Sequence, residues 1–221
     1  MTSAAEIAPR IDHTLLKPDS SEREIRRLCI EAHRHNFATV CILPHFVSLA
    51  HELLRNSRVR VCTVVGFPLG ANRSSVKAAE AELAVTEGAD ELDMVMNLAA
   101  FRSGDMAQVK HDIRCVVRSA SQGVLIKVIL ETALLSEAEI RTACNLCREA
   151  GAHFVKTSTG FGPGGATVEA VRIMKSVVQD HMGVKASGGI RTLQNALDMI
   201  AAGADRIGTS SGLDIITESR G

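Results

Sequence analysis

The 221 residues carry 46% apolar side chains, enough for one sizeable core, and 25 Lys and Arg balance 25 Asp and Glu, so no overall field favours nucleic acid or an anionic membrane. Tyr and Trp are absent and Phe numbers six, which removes the stacking residues that single-stranded nucleic-acid binding uses. No apolar run approaches the ~18 residues of a membrane span. Glu6, Arg10, Asp12 and Lys17 stand where a signal peptide needs an apolar stretch, and six cysteines are too dilute for a disulfide scaffold. A cytoplasmic chain with reduced thiols is expected, with small-molecule partners and neither nucleic acid nor membrane among them.

The elements follow in chain order. A β-rich run at 11–16 leads to Ser21-x-x-Glu24, a capping box, which opens a helix whose apolar stripe is Ile25, Leu28, Cys29 and Ala32. Strand candidates follow at 38–43, 60–67 and 91–97, the last preceded by Gly88-Ala89-Asp90. A second stripe, Ile113, Val116, Val117 and Ala120, precedes the strand at 125–131. A second capping box, Ser136 with Glu139, then opens the stripe Ile140, Ala143, Cys144 and Cys147. That helix ends in Gly151-Ala152-His153 before the strand at 153–158. After the strand at 184–187, the stripe Leu193, Ala196, Leu197 and Ile200 ends in Gly203-Ala204-Asp205 before the strand at 206–209. A Gly-Ala-polar triplet thus precedes strands four, six and eight, as left-handed glycines closing helices would.

Eight βα units without a low-complexity linker predict an α/β fold, a single (β/α)8 barrel domain over 1–221 in preference to an open doubly wound sheet. Asp93, Lys156 and Gly208 each stand five residues beyond a repeat glycine, so they should lie at one height in the barrel.

Charges inside doubly buried strands need a reason. They are Asp93, Lys127, Glu131, Lys156 and Lys185. For Lys127, early in its strand, the expected role is to neutralise Asp93 or Glu131 in a buried network. Lys156 and Lys185 are followed by small polar residues and glycines, which places each near a loop on the face where barrels do chemistry. The loops Thr157-Ser158-Thr159-Gly160-Phe161-Gly162-Pro163-Gly164-Gly165, Ser187-Gly188-Gly189-Ile190-Arg191 and Gly208-Thr209-Ser210-Ser211-Gly212 together suit a phosphate, because glycines let backbone N–H groups approach an anion. A neutral lysine could form an imine with an aldehyde, which needs neither metal nor cofactor. The eight histidines are scattered, with His33, His35 and His51 on helices, so no convergent metal cluster is expected. Cys144-x-x-Cys147 falls on an apolar stripe and reads as packing.

The segments IDHTLLKP, CTVVGFPLGA, ELDMVMN, FVKTSTGFGPGGATVEAV and VKASGGIRT resemble the 2-deoxyribose-5-phosphate aldolase family along nearly the whole chain. The resemblance implies a class I aldolase on a (β/α)8 barrel that reversibly cleaves 2-deoxy-D-ribose 5-phosphate to D-glyceraldehyde 3-phosphate and acetaldehyde in deoxyribose phosphate catabolism. It implies Lys156 as the Schiff-base lysine, Lys185 as the lysine that perturbs it, and Asp93 as the proton relay. Phosphate contacts fall on Gly160, Gly188, Gly189, Gly208, Ser210 and Ser211, with Arg191 beside them. Asp12, Thr14 and Lys127 are further candidates for hydrogen bonds to substrate or relay.

Two departures stand out. Some relatives end in a longer tail with a tyrosine, whereas this chain has none and finishes Thr217-Glu218-Ser219-Arg220-Gly221; some place a lysine where this chain has Phe161. Read from the residues alone, a phosphosugar isomerase or synthase using Asp93 as base, or a non-catalytic phosphate-binding barrel, remains open. The sequence does not fix oligomeric state; a homodimer is compatible with it.

Overall fold

A computed structural model describes residues 4–120 and 123–218. Eight parallel strands close into a barrel in sequence order, with the eighth pairing back onto the first. The strands are β1 Ile11–Leu15, β2 Thr39–Ile42, β3 Arg60–Val65, β4 Glu91–Val95, β5 Leu125–Ile129, β6 Phe154–Lys156, β7 Gly183–Ser187 and β8 Arg206–Thr209. A short helix α1 (Ala4–Ile7) precedes β1. The outer ring is α2 Glu22–His35, α3 Val47–Leu54, α4 Ser74–Thr86, α5 Leu98–Arg102 with α6 Met106–Ser119, α7 Glu137–Ala150, α8 Val168–Val178, α9 Leu193–Ala201 and α10 Gly212–Glu218.

Local chemistry sets the boundaries. Both capping boxes form, at Ser21 with Glu24 and at Ser136 with Glu139, and each satisfies helix N–H groups that would otherwise lack an acceptor. Gly88, Gly151 and Gly203 take φ values of 105°, 88° and 110°, the left-handed conformation that ends a helix at little cost only for glycine. The fourth unit holds two helices rather than one. Asn97 caps α5 and Asp105 caps α6, with Gly104 turning between them at φ 77°. Several strands stop short of their β-rich runs, because the run continues into a loop. Leu16, Leu43 and Phe67, for example, pack with Cys41, Cys62 and Val64 at the barrel mouth.

Alternation along the strands divides the core. Leu92, Met94, Ile126, Val128, Val155, Val184, Ala186 and Ile207 join the apolar layer beneath the helices, each buried aliphatic side chain contributing roughly 1.5–3 kcal/mol. The intervening positions hold Asp12, Glu91, Asp93, Lys127, Lys156, Lys185 and Arg206, which meet one another across the barrel. The interior is thus ionic, and the buried network expected around Lys127 extends to Asp12, Glu91 and Arg206. Of the C-terminal segment, Ser219, Arg220 and Gly221 lie outside the described residues, while Glu218 accepts a hydrogen bond from Leu193 N–H at the start of α9.

Candidate active site

Asp93 is the hub. It is fully buried on β4, and its Oδ2 accepts hydrogen bonds at 2.7 Å from both Lys156 Nζ and Lys185 Nζ, while Oδ1 accepts one at 2.8 Å from Lys127 Nζ. Burial alone would raise the Asp93 pKa; the ammonium groups of Lys127, Lys156 and Lys185 reverse this and hold it well below the usual carboxylate range. Lys185 is likewise pulled two ways. Burial opposes its charge, and the carboxylates of Asp12 and Asp93 outweigh burial, so its pKa lies above the ordinary lysine value. Asp12, 2.5 Å from Lys185 Nζ and also paired with Arg206, is kept ionised by those two cations against the opposing effect of burial. Lys127 is braced from below by Glu91 at 2.6 Å, so the buried pairing expected for it forms with Asp93, and with Glu91 in place of Glu131.

The lysines differ in access. Lys156, the last residue of β6 and 2% exposed, lines a cavity of about 300 Å³ at the C-terminal end of the barrel. Lys185 does not. It lies two residues before the end of β7 with no exposure, a level beneath the loop where the sequence had placed it. Gly208 makes room for it, since a Cβ there would lie 3.0 Å from Lys185 Cε. The expected common height therefore holds through contact: Lys156 and Lys185 converge on Asp93, and Gly208 abuts Lys185.

Of the residues expected at the substrate, Thr14, Gly160, Gly188, Gly189, Arg191, Gly208 and Ser210 line the cavity with Lys156. Asp12, Asp93, Lys127 and Ser211 do not, Asp93 lying directly beneath Lys156. Asp12 and Lys127 are wholly buried in the ion network beneath it, and Ser211 gives its N–H to Thr209 Oγ1, so support replaces the expected direct contact. Gly160, Gly188 and Gly189 have φ of 86°, 88° and 79°. At Gly160 and Gly189 a Cβ would meet nothing within 4 Å, so their backbone faces open space. Among the described residues no carboxylate lines the cavity, which suits an anionic ligand.

Other features were not foreseen. Glu131, expected to be neutralised by a lysine, instead leaves β5 in a left-handed conformation at φ 56°. Its Oε2 accepts from Thr159 Oγ1 at 2.5 Å and Thr159 N–H at 3.2 Å, and Thr159 Oγ1 accepts from Phe161 N–H. The carboxylate thus anchors the loop after β6. Phe161 lies edge-on to Phe67 with ring centroids 5.3 Å apart, forming an apolar wall. Cys41 and Cys62 Sγ lie 3.9 and 3.3 Å from the Asp93 carboxylate. These three groups are spaced as a metal cluster would be, but both Asp93 oxygens are already engaged by ammonium groups, which oppose a cation there. Cys144 and Cys147 are buried on α7 and burial pushes both thiols up, Cys144 to about 12, so they are packing residues. His33 is exposed on α2 and His35 stacks on Phe37.

Comparison with known proteins gives a consistent picture. The family model described as DeoC/LacD family aldolase matches residues 7–218. A deoxyribose-phosphate aldolase from Caldanaerobacter subterraneus subsp. tengcongensis is 55% identical over 218 residues, 98% of this chain and 94% of the relative. Among solved structures, a putative deoxyribose-phosphate aldolase from Coccidioides immitis is 42% identical, with a TM-score of 0.96 over 99% of this chain and 87% of that one. A deoxyribose phosphate aldolase from Aeropyrum pernix, described as having a unique tetrameric structure, is 36% identical, with a TM-score of 0.93 over 100% of this chain and 93% of that one.

Proposed function

The chain belongs to the DeoC/LacD aldolase family, and from that membership we propose how its site works: Lys156 forms the Schiff base, Asp93 moves the protons, and Lys185 keeps their electrostatics in place. The reaction is the reversible, metal-independent cleavage of 2-deoxy-D-ribose 5-phosphate to D-glyceraldehyde 3-phosphate and acetaldehyde. One observation carries the assignment of roles: of the three lysines that touch Asp93, Lys156 alone lines the cavity.

Once Lys156 has released a proton, its Nζ adds to the C1 aldehyde of the open-chain sugar, and loss of water gives a protonated imine that withdraws electrons. Asp93, buried beneath Lys156 and acting with Lys185 through ordered water, accepts the C3 hydroxyl proton as the C2–C3 bond breaks. The bonding pair passes into the enamine of acetaldehyde, and glyceraldehyde 3-phosphate departs. Asp93 then returns the proton to C2, and water hydrolyses the imine to free acetaldehyde and the Lys156 amine. Lys185, held charged by Asp12, opposes a second ammonium at Lys156 and keeps Asp93 ionised. Gly160, Gly188, Gly189, Gly208 and Ser210, with Arg191, take the phosphate. Ser211 supports that loop from behind, and Thr14 orients the sugar.

The whole of 1–221 is taken as one barrel domain. All six thiols are free, which fits a reducing cytoplasmic setting. Val76 and Leu83, one face of α4, are exposed, and self-association through them, as a homodimer, would cover that surface. Purified protein should release both aldehydes from 2-deoxy-D-ribose 5-phosphate in equal amounts with or without a chelator, and Lys156→Leu should release neither while keeping its melting temperature. Normal cleavage by Lys156→Leu would overturn the assignment.

A further inference from the structure

We propose that Lys17 is a second cationic arm of the phosphate site, closing on the ligand from the side opposite Arg191. The proposal rests on the phosphosugar reading above and extends it to a residue outside the three glycine-rich loops. Among the described residues three cations line the cavity: Lys156, Lys17 and Arg191. Lys156 is engaged with Asp93 at the floor. Lys17 and Arg191 are exposed at the rim, and among the described residues neither forms an ion pair with a carboxylate. A phosphate monoester carries about −1.5 to −2 charges at pH 7, so a single arginine leaves part of that charge to backbone dipoles. Phe161, packed on Phe67, offers no cation from the loop after β6.

The barrel order gives the two rim cations a specific relation. β8 is flanked by β7 on one side and β1 on the other. Arg191 lies on the loop after β7, Lys17 follows the end of β1, and Gly208 and Ser210 sit between them on β8 and its loop. The glycine N–H groups thus form the base of a phosphate cradle with a cation at each side. Lys17 is also held ready. Pro18 restricts the preceding residue to extended backbone, and Ser20 donates to the Lys17 carbonyl through both N–H at 3.1 Å and Oγ at 2.7 Å. A lysine with a free side chain on a pinned turn loses little backbone entropy when it binds.

The test compares Lys17→Gln, Lys17→Arg and Arg191→Gln, measuring kcat/KM on 2-deoxy-D-ribose 5-phosphate and on unphosphorylated 2-deoxyribose. Inhibition by inorganic phosphate is measured alongside. The preference of Lys17→Gln for the phosphorylated sugar should fall about tenfold, with phosphate inhibition weakened in parallel, and Lys17→Arg should retain most of both. If Arg191→Gln loses that preference while Lys17→Gln keeps it, the proposal for Lys17 is overturned and the phosphate site stands. If both variants keep the preference, the phosphate site itself is misplaced and the proposal falls with it.

Discussion

Replacing Asp93 with Asn should separate imine formation from turnover. Asp93 Oδ2 sits 2.7 Å from Lys156 Nζ, and Lys156 has no other carboxylate within salt-bridge distance among the described residues. Lys127 keeps Glu91 and Lys185 keeps Asp12, so both remain charged in the variant and continue to repel a third ammonium. Opposite charges centred about 4 Å apart at an effective dielectric near 20 interact by ~4 kcal/mol, an attraction the amide no longer supplies. Imine formation near neutral pH should therefore persist in Asp93→Asn. Turnover should drop about 10²–10⁴-fold, because an amide cannot accept and return the proton. Leaving three buried ammonium groups with one carboxylate fewer also costs about 3–5 kcal/mol of stability, so a denaturant melt must show the variant folded at assay temperature. The assay is a borohydride quench with acetaldehyde across pH, read by intact mass, beside coupled turnover of the phosphosugar. Loss of imine formation in the folded variant would refute the claim that Asp93 serves turnover rather than imine formation. Near-normal turnover would move the relay to Asp12 or a water chain.

Lys185→Leu should slow imine formation near neutral pH, since it removes a like charge that shares Asp93 Oδ2 with Lys156; an unchanged single-turnover rate would remove Lys185 as the perturbing group. Gly189→Val forces a β-branched residue into φ 79° and should raise KM for the phosphorylated sugar more than for 2-deoxyribose, whereas equal losses would mean the loop only shapes the barrel. Glu131→Ala removes both hydrogen bonds that Thr159 gives the carboxylate and should release the loop after β6, lowering kcat/KM on the phosphosugar by at least about tenfold, since even one charge-assisted hydrogen bond is worth ~1.5 kcal/mol. Glu131→Gln should restore most of it, and failure of both to change the kinetics would assign the carboxylate to folding alone.

The barrel was legible because its signals are local. Helical stripes such as Ile25, Leu28, Cys29 and Ala32 are buried as their spacing required, and the Gly-Ala triplets mark helix ends through the one residue type that tolerates positive φ. Strand ends were less legible, since Leu16, Leu43 and Phe67 continue an apolar run but pack at the barrel mouth. Asp93, Lys156 and Lys185 stood out as charges in buried strands. Their partners did not, because pairing across a closed barrel joins residues far apart in sequence; Arg206 reaches Asp12 across 194 positions. Glu91 carried a usable signal, standing two residues before Asp93 and so on the same face of the strand. Glu131 carried none, because nothing in the local sequence announces a left-handed glutamate bonded to a loop 28 residues on.

The central claim is that Lys156 is the residue that becomes covalent. Incubating the protein with acetaldehyde, quenching with borohydride and mapping the modified peptide tests it directly. The account predicts a single adduct of one reduced two-carbon imine on the peptide containing Lys156, absent from Lys156→Leu. An adduct on Lys127 or Lys185, or none in an active preparation, would contradict it.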